Sequence, residues 1–339
     1  MRRKRSNRPT MDDVAALAGV SQMTVSRVIN RKGYVSKEVR DKVVSASEQL
    51  GYVQNRLADA LRNETASLIA VVLPTLHNRV FSEVLSGIND AAEAYEYQTV
   101  FGVTEYAPEK EERLVRDLLS WLPRGLILAG LEHTDNTIRA VRASGVNVVE
   151  VMDIDGAPLS HAIGLSHMAA GRTMAAHLLS RGYRRIAYLG SQGGLDQRAA
   201  KRLEGFRQVL SQSGCNLINV RVSDHPSSMQ EGRRLTGELL AGGERPDAIY
   251  YSNDDLAAGG LMHCLANGLS VPEDVAIAGF NGLSFLESLP IRITTIETPR
   301  YGIGKLAVDS LERQGTYGTA RKAASFTDLG FNLVIGQTT

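Results

Sequence analysis

A short segment near the amino terminus has side chains of the kind that contact nucleic acids. After Ser21, apolar residues recur at Val25, Val28 and Ile29, a spacing that predicts a helix with one buried face. The other positions are mostly short polar groups of the kind that read base edges or hold phosphates: Ser21, Gln22, Met23, Thr24, Ser26, Arg27 and Asn30. An ordinary amphipathic helix more often exposes Glu and Lys. The segment therefore predicts a DNA-contacting helix.

A second set of polar side chains follows apolar runs in the rest of the chain. These positions are Pro74 to Asn78, Asp153, Gln192 to Arg198, Asn253 to Asp255, and Asn281. In parallel sheets, ligands bind beyond the carboxyl ends of the strands. Carboxylates, amides and arginines suit a polyol, because each hydroxyl donates one hydrogen bond and accepts two. This set predicts a cleft for a small hydroxylated ligand.

Three short helices are expected to position the DNA-contacting residues. Thr10 and Asp13 have the spacing of a capping box, and Gly19 ends the first helix before Ser21 starts the second. A third helix is predicted from Ser36 to Leu50. Two helices joined by a tight turn and braced by a third form a helix-turn-helix, whose second helix enters the major groove.

Composition and charge limit the classes of protein that fit. The chain has 339 residues, of which 43% are hydrophobic and 22% charged, as in a globular protein of about two domains. The first 62 residues carry a formal charge of +7 and the rest −6, and from charge alone this basic end either binds a polyanion or is a solvated tail. Cys215 and Cys264 are too few for a disulfide framework, and no apolar run could span a membrane. We therefore expect a cytoplasmic protein.

The run from Met11 to Asn30 forms one dense motif, MDDVAALAGVSQMTVSRVIN, followed by Val35-Ser36, Leu50-Gly51-Tyr52 and Asn55-Arg56. In this order, the motifs resemble the DNA-binding head of LacI-type bacterial transcription repressors. The resemblance implies that Gln22, Met23 and Arg27 discriminate operator bases. Gln pairs with adenine, Arg pairs with guanine, and Met offers an apolar contact, for instance to a thymine methyl. Ser21 is the expected helix N-cap, and the residues expected to position the head on phosphates are Thr24, Ser26 and Asn30.

Asn55 to Arg62 predicts one short helix, with Ala58 and Leu61 on one side. A helix of this length is unstable alone in water. The segment resembles the hinge helix of the same family, which implies DNA contacts by Asn55, Arg56, Ala58 and Leu61, with Leu61 as a wedge in the minor groove. The alternative is that Leu61 packs on the core. Gln54 stands where the family commonly has Pro, so the start of this helix is less restricted.

From Ser67 onward, short apolar runs alternate with segments of helix length. The predicted strands are Leu68 to Leu73, Thr99 to Val103, Leu126 to Ala129, Val146 to Val151, Ile186 to Leu189, Ala248 to Tyr251 and Val275 to Gly279. Predicted helices between them include Val80 to Tyr97, Glu109 to Trp121, Met168 to Arg181, Ala199 to Ser211 and Leu256 to Asn267. This alternation predicts an α/β core with parallel sheets covered on both faces. Its length favours two subdomains with a cleft between them.

The large domain resembles the periplasmic-binding-protein-like core of LacI-type regulators. The expected organisation is a basic arm (1–9), a helix-turn-helix domain (10–53), a hinge helix and linker (54–66), and an effector-binding and dimerisation core (67–339). Within the core, the N-subdomain is expected at about 67–165 and 294–325, and the C-subdomain at about 166–293 and 326–339.

The same resemblance implies an effector site at the strand ends. The implied contacts are Asn78, Phe81, Asp153, Arg202, Asn253 and Asn281. Many relatives have Asp at the position of Asn281, and an amide there, with Arg198 and Arg202 nearby, makes the cleft less hostile to an anion. We add Arg198 as the expected carboxylate partner, because a guanidinium binds a carboxylate bidentately. The alternative is that Arg198 forms a surface ion pair.

Further motifs resemble the gluconate-utilisation repressors of this family, among them NRVFSEVLSGI from Asn78 to Ile88, VEVMD from Val149 to Asp153, and DLGF from Asp328 to Phe331. They imply gluconate as the effector, with 2-ketogluconate, phosphorylated gluconate, a neutral sugar or a purine corepressor as alternatives. The implied function is repression of sugar-acid catabolism by a homodimer on a near-palindromic operator, released by the effector. Whether the effector releases the protein from DNA or promotes DNA binding stays open, because some relatives bind DNA only with a corepressor.

Two other classes of protein fit less well. An enzyme would need a catalytic motif, and the chain has neither a Gly-x-Ser-x-Gly elbow nor a Walker-type loop. The seven histidines lack metal-ligand spacing, so we expect no catalytic residue, metal or cofactor. A periplasmic sugar-binding protein would share the fold of the core, but it would need a signal peptide and would not carry a basic helix-turn-helix head.

Overall fold

The computed structural model describes residues 8–30, 33–53, 66–243, 245–315 and 324–339. The chain divides into two compact units, Met1–Ala66 and Ser67–Thr339. The expected hinge helix, with Asn55, Arg56, Ala58 and Leu61, lies outside the described residues, as does most of the basic arm.

The first unit contains three described helices, α1 (Met11–Ala18), α2 (Gln22–Ile29) and α3 (Lys37–Leu50). They pack around a small apolar core of Val14, Ala15, Val25, Val28, Val43 and Ala46. Each begins with a hydroxyl that accepts a hydrogen bond from the backbone N–H three residues on: Thr10, Ser21 and Ser36. These caps satisfy donors that a helix start leaves unpaired. The predicted helix-turn-helix head is confirmed.

The second unit contains two parallel sheets and one antiparallel pair. The first sheet comprises β1 (Ala66–Leu73), β2 (Gln98–Val103), β3 (Pro123–Ala129), β4 (Asn147–Val151), β5 (His161–Gly164) and β11 (Ser325–Asp328), in the order β11-β5-β4-β3-β1-β2. The second comprises β6 (Ile186–Gly190), β7 (Asn219–Val222), β8 (Ala248–Tyr251) and β9 (Ala276–Ala278), in the order β7-β6-β8-β9. The antiparallel pair is β10 (Thr295–Glu297) with β12 (Asn332–Val334).

Eight helices are described in this unit: α4 (Val80–Ala94), α5 (Pro108–Leu119), α6 (Asp135–Ser144), α7 (His167–Ser180), α8 (Gln197–Gln212), α9 (Met229–Leu240), α10 (Asp254–Ala266) and α11 (Arg300–Gln314). Short 3₁₀ turns cover Gln192–Gly194 and Ser284–Ser288. The strands of the sheet centres are mostly apolar and buried, as in the continuous burial of Ile69 to Leu73, because helices cover parallel sheets on both faces. The predicted α/β class is confirmed.

Three pairs of helices approach closely enough that each helix needs a glycine at the crossing. The pairs are α4 with α11, α7 with α8, and α9 with α10, and the glycines are Gly87 and Gly304, Gly171 and Gly205, and Gly232 and Gly259. A Cβ at any of these positions would lie 1.9–2.1 Å from a carbonyl oxygen of the partner helix. The second pair holds α8 against α7, which matters for the cleft because the crossing lies beside Arg202.

Strands β7 and β11 were not predicted because they are short and only partly buried. In β7 the burial alternates between half-buried and exposed residues, and β11 is mostly exposed, so neither forms a continuous apolar run. The subdomain boundary expected between residues 325 and 326 falls inside β11, which pairs in parallel with β5 of the first sheet.

Candidate DNA-contact surface and effector cleft

Helix α2 turns one face to the head core and the other to solvent. Val25 and Val28 are buried, whereas Gln22, Met23 and Arg27 are exposed, Met23 to 65%. The side chains expected to contact base edges therefore share the exposed face of this helix. The face offers an amide, a guanidinium and a thioether, which match the donors, acceptors and methyl groups of a major groove.

The other polar residues of α2 form hydrogen bonds within the helix. Ser21 Oγ accepts a hydrogen bond from the Thr24 N–H at 3.2 Å, and the two hydroxyl oxygens lie 2.9 Å apart. Asn30 Nδ2 donates to Ser26 Oγ at 3.2 Å. These two pairs stabilise the ends of α2. The O–H of Ser26 and that of the accepting hydroxyl in the Ser21–Thr24 pair stay available to donate to a phosphate.

The second unit contains a cleft of about 400 Å³, including its solvent-open part, where strand ends and helix starts meet. Its lining comprises Asn78, Val80, Phe81, Met152, Leu165, His167, Asp196, Arg198, Arg202, Asn253, Phe280, Asn281 and Thr298. Six of the seven residues expected to bind the effector are among them, and Asp153 is not. Asp196 lies within the predicted stretch from Gln192 to Arg198, whereas His167 and Thr298 were not predicted as polar lining residues.

Two of the lining amides accept hydrogen bonds from backbone N–H groups at helix starts. Asn253 is the N-cap of α10, and its Oδ1 accepts hydrogen bonds from the Leu256 N–H at 3.1 Å and from Ser227 Oγ at 2.8 Å. Asn78 Oδ1 accepts from the Val80 N–H at 3.1 Å, at the start of α4. Because the Asn253 oxygen already accepts two hydrogen bonds, Asn253 offers a ligand its amide nitrogen, whereas Asn78 offers its amide nitrogen and one acceptor site on its oxygen.

Asn281 has an uncommon backbone conformation, with φ at 123°. Its N–H donates to the Ile296 carbonyl at 2.9 Å, and its own carbonyl accepts from Nη1 of the buried Arg300. Nη2 of Arg300 in turn lies 3.0 Å from Glu83 on α4. Strained residues of this kind persist only where their surroundings hold them, and they cluster at ligand sites.

Arg198 is buried at the cleft and already has an acidic neighbour. Its exposed fraction is 8%, its Nε lies 3.7 Å from Asp196 Oδ1, and its Cζ lies 5.4 Å from the centre of the Phe81 ring. Asp196 is also the N-cap of α8. Arg198 therefore forms an ion pair, as the alternative interpretation held, but the pair is part of the cleft.

Arg202 is buried without an acidic partner. It is 4% exposed, its Nη1 lies 3.0 Å from His167 Nδ1, its Nη2 donates to the Ser252 carbonyl at 2.9 Å, and its Cζ lies 3.9 Å from the centre of the Phe280 ring. Among the described residues, no carboxylate lies within ion-pair distance of this guanidinium, and its Nε has no hydrogen-bond partner. The cleft therefore contains a buried positive charge that no described carboxylate compensates.

Asp153 is not part of the lining, and its carboxylate pairs with a lysine. It is fully buried, and its Oδ2 lies 2.5 Å from Lys201 Nζ, which is also 2.6 Å from Glu132 Oε1. Burial raises the pKa of Asp153, and Lys201 opposes this shift. The sequence signal for this contact was the spacing of the basic residues on α8. Lys201 and Arg202 follow Arg198 by three and four residues, so the three side chains share one helix face.

A neighbouring cavity of about 680 Å³, again including its open part, meets the cleft at Arg198. Its lining includes Tyr106, Glu111 and Glu132, which follow strands β2 and β3 in the chain. Beside it, His133 Nδ1 lies 2.8 Å from Glu111 Oε1 and its Nε2 lies 3.5 Å from Glu150 Oε1. Burial opposes a charge on His133, but the hydrogen bond with Glu111 and the negative charges of Glu111 and Glu150 raise its pKa to about 9.

Within the described ranges, no group of three or more His, Cys, Asp or Glu side chains could hold a metal ion. Among the helices that are described, none is long and apolar enough to cross a membrane.

An exposed recognition helix in one unit and a polar cleft in a two-sheet α/β unit define a DNA-binding regulator of the ligand-responsive class. Residues 10–55 match the family described as bacterial regulatory proteins, lacI family, and residues 175–339 match the periplasmic binding protein-like domain. The chain belongs to the LacI family of bacterial transcription regulators, and so it is a regulator and not an enzyme.

Individual relatives agree with this family. The HTH-type transcriptional regulator GntR of Pseudomonas aeruginosa is 38% identical over 98% of this chain and 96% of its own. A LacI-family transcriptional regulator from Silicibacter pomeroyi superposes with a TM-score of 0.90 at 41% identity, covering 97% of this chain and 99% of that one. The lac repressor dimer bound to operator and an anti-inducer superposes with a TM-score of 0.81 at 27% identity, covering 98% and 99%.

Proposed function

We propose that this chain is a homodimeric repressor whose two heads bind a near-palindromic operator and whose cleft binds a sugar acid of the gluconate type. The DNA-binding part is supported by the exposed face of α2 and by the similarity to the lac repressor dimer bound to its operator. One small head buries too little surface for tight specific binding, which favours two heads on two half-sites.

In this proposal some residues of the head contact bases and others contact phosphates. Gln22, Met23 and Arg27 contact base edges in the major groove, and the hydroxyl and amide groups of Ser21, Thr24, Ser26 and Asn30 contact phosphates. The proposed minor-groove contacts are the residues outside the described ranges, Asn55, Arg56, Ala58 and Leu61.

The observation that carries the effector proposal is the buried guanidinium of Arg202. A buried charge is costly unless a group of opposite charge compensates it, and a ligand carboxylate would do so. Gluconate has one carboxylate and a chain of hydroxyls, which the amides of Asn78, Asn253 and Asn281 would bind. Phe81 and Arg198 complete the proposed site, whereas Asp153 would act through Lys201.

Two further observations favour gluconate among the sugar acids. The motifs from Asn78 to Ile88 and from Val149 to Asp153 resemble those of the gluconate-utilisation repressors, and relatives named GntR cover nearly the full chain. We propose that gluconate changes the relation of the two subdomains and lowers operator affinity. A difference of a few kcal/mol in ligand affinity between the two states is enough for a useful switch.

Calorimetric titration of the full-length, DNA-free protein with gluconate tests the effector, with 2-ketogluconate and ribose as comparisons. We expect saturable binding of gluconate and no binding of ribose. Absence of heat with gluconate would remove the effector assignment and leave the DNA-binding regulator standing, because that rests on the head.

Testing whether gluconate weakens or strengthens DNA binding requires an operator sequence, which selection from random DNA duplexes would supply. Added gluconate should release the selected duplex from the protein, whereas tighter binding would make gluconate a corepressor. Light scattering of the same sample should give twice the chain mass of 36.8 kDa, and a monomer mass would contradict the dimer.

A further inference from the structure

Two buried residues of the cleft hold each other in a fixed orientation. His167 is the first residue of α7 and is 2% exposed, and Arg202 lies on the neighbouring helix α8. Arg202 Nη1 lies 3.0 Å from His167 Nδ1, and His167 Nε2 lies 2.8 Å from the carbonyl oxygen of Met152. The imidazole therefore connects the guanidinium to the end of β4.

These contacts allow the imidazole only one protonation state. A carbonyl oxygen only accepts hydrogen bonds, so Nε2 must carry a hydrogen, and a guanidinium only donates, so Nδ1 must be without one. A protonated ring would lose its acceptor and would place a second positive charge against Arg202. Burial, together with the positive charges of Arg202 and Arg198, holds the pKa of His167 well below its usual range.

We infer that neutral His167 positions the Arg202 guanidinium for a ligand carboxylate, acting through Arg202 as a positioning residue. His167 engages Nη1, the Ser252 carbonyl engages Nη2, and the Phe280 ring lies under the guanidinium. Nη1 and Nη2 each keep a second N–H that His167 and the Ser252 carbonyl do not use, whereas the Nε is buried and has no hydrogen-bond partner among the residues described. A planar group that is already oriented loses less freedom when it binds.

The inference rests on the proposed function, since it specifies how the same cleft holds an anion. It also gives a role to a histidine that sequence reasoning had not connected with the site. The reason lies in chain distance, because His167 and Arg202 are 35 positions apart and only the crossing of α7 and α8 brings them together. At that crossing, a Cβ on Gly171 would lie 1.9 Å from the Arg202 carbonyl oxygen.

Two substitutions of His167 test whether it positions Arg202 or only packs in the core. His167→Phe keeps a ring but removes the acceptor, and we expect gluconate affinity to fall about ten- to a hundredfold. His167→Gln supplies an amide oxygen for Arg202 and an amide N–H for the Met152 carbonyl, so it should restore affinity to within a few fold. His177→Phe is the control, because His177 lies on the same helix and its Nε2 contacts Thr339 Oγ1 at 2.8 Å. The control should bind gluconate like the unchanged protein.

A spectroscopic measurement tests the inference without any ligand. In protein labelled with ¹⁵N-histidine, the His167 signals are those that disappear in His167→Gln, and they should report a neutral ring with its hydrogen on Nε2 from about pH 6 to 8. A hydrogen on Nδ1, or a charged ring, would overturn the inference, as would normal gluconate binding by His167→Phe. If the unchanged protein binds no gluconate, the effector assignment fails, and the tautomer spectrum alone decides the role of His167.

Discussion

On α2, the candidate contact residues Gln22, Met23 and Arg27 are exposed, and the hydrogen bonds at the helix ends join residues three or four positions apart. In the cleft, Arg202 is 4% exposed, and its partners are 35 and 50 positions away in the chain. The first site is complete within one short segment, whereas the second exists only after the second unit has folded. A substitution on α2 should therefore change one contact, and one in the cleft should also leave a buried group without its partner.

The largest effect is expected for Arg202→Leu. It removes the buried guanidinium that lacks a carboxylate partner in the described structure, and gluconate affinity should fall by about a hundredfold or more. Calorimetric titration measures this loss. Arg198→Leu is the matched comparison, and its effect should be smaller because Asp196 already lies 3.7 Å from Arg198. Gluconate affinity within a few fold of normal in Arg202→Leu would assign the carboxylate to another residue.

A smaller effect is expected for Arg27→Ala in the head. Loss of one bidentate contact to a base costs about 1–3 kcal/mol, so affinity for a selected operator should fall about ten- to a hundredfold and one base preference should relax. Gluconate affinity should not change. Lys42→Ala removes the same charge from the exposed side of α3, where Lys42 pairs with Glu38. If Lys42→Ala weakened all duplexes as much as Arg27→Ala, the assignment of Arg27 to a base would be wrong.

The contrast between local contacts in the head and long-range contacts in the cleft also explains which features the sequence could predict. The capping box of Thr10 and Asp13, the turn at Gly19 and the N-cap at Ser21 were predicted and are confirmed, because each depends on residues within four positions. The strand Ala248 to Tyr251 was predicted with the bounds observed, since it is apolar on both faces. The edge strand β7 was missed because only the pairing with β6 makes it a strand.

For the cleft, the sequence predicted which residue types come together but not how they pair. It favoured Arg198 over Arg202 as the carboxylate partner from the chemistry of the guanidinium, and it did not predict that Asp196, two residues earlier, pairs with Arg198. It also could not show that Lys201 neutralises Asp153, which is 48 positions away. Strand ends are recognisable from local pattern, whereas ion pairs across a cleft depend on the tertiary fold.

A buried charge should also make the second unit sensitive to pH. With its pKa raised to about 9 in the folded state, His133 binds a proton more tightly there than in the unfolded chain. Its stabilising contribution is therefore complete below the unfolded pKa of about 6.5 and is lost as the pH rises through 9, which amounts to at most about 3 kcal/mol. Urea unfolding of the protein and of His133→Gln from pH 6 to 10 measures this. The difference in unfolding free energy between them should shrink as the pH rises, and a constant difference would contradict a charged His133.

The smallest effect is expected in the head, for Thr10→Ala. Thr10 Oγ1 accepts a hydrogen bond from the Asp13 N–H at 3.3 Å, and Asp13 Oδ2 accepts one from the Thr10 N–H at 2.7 Å. Removing the hydroxyl should destabilise α1 by about 1 kcal/mol, seen as faster amide exchange in α1 and not in α7 or α8. Thr10→Ser keeps the oxygen and should exchange like the unchanged protein. Because the cap is local, the unchanged protein, Thr10→Ala and Thr10→Ser should have the same gluconate affinity. A different affinity in Thr10→Ala would mean that the head and the cleft are coupled even without DNA.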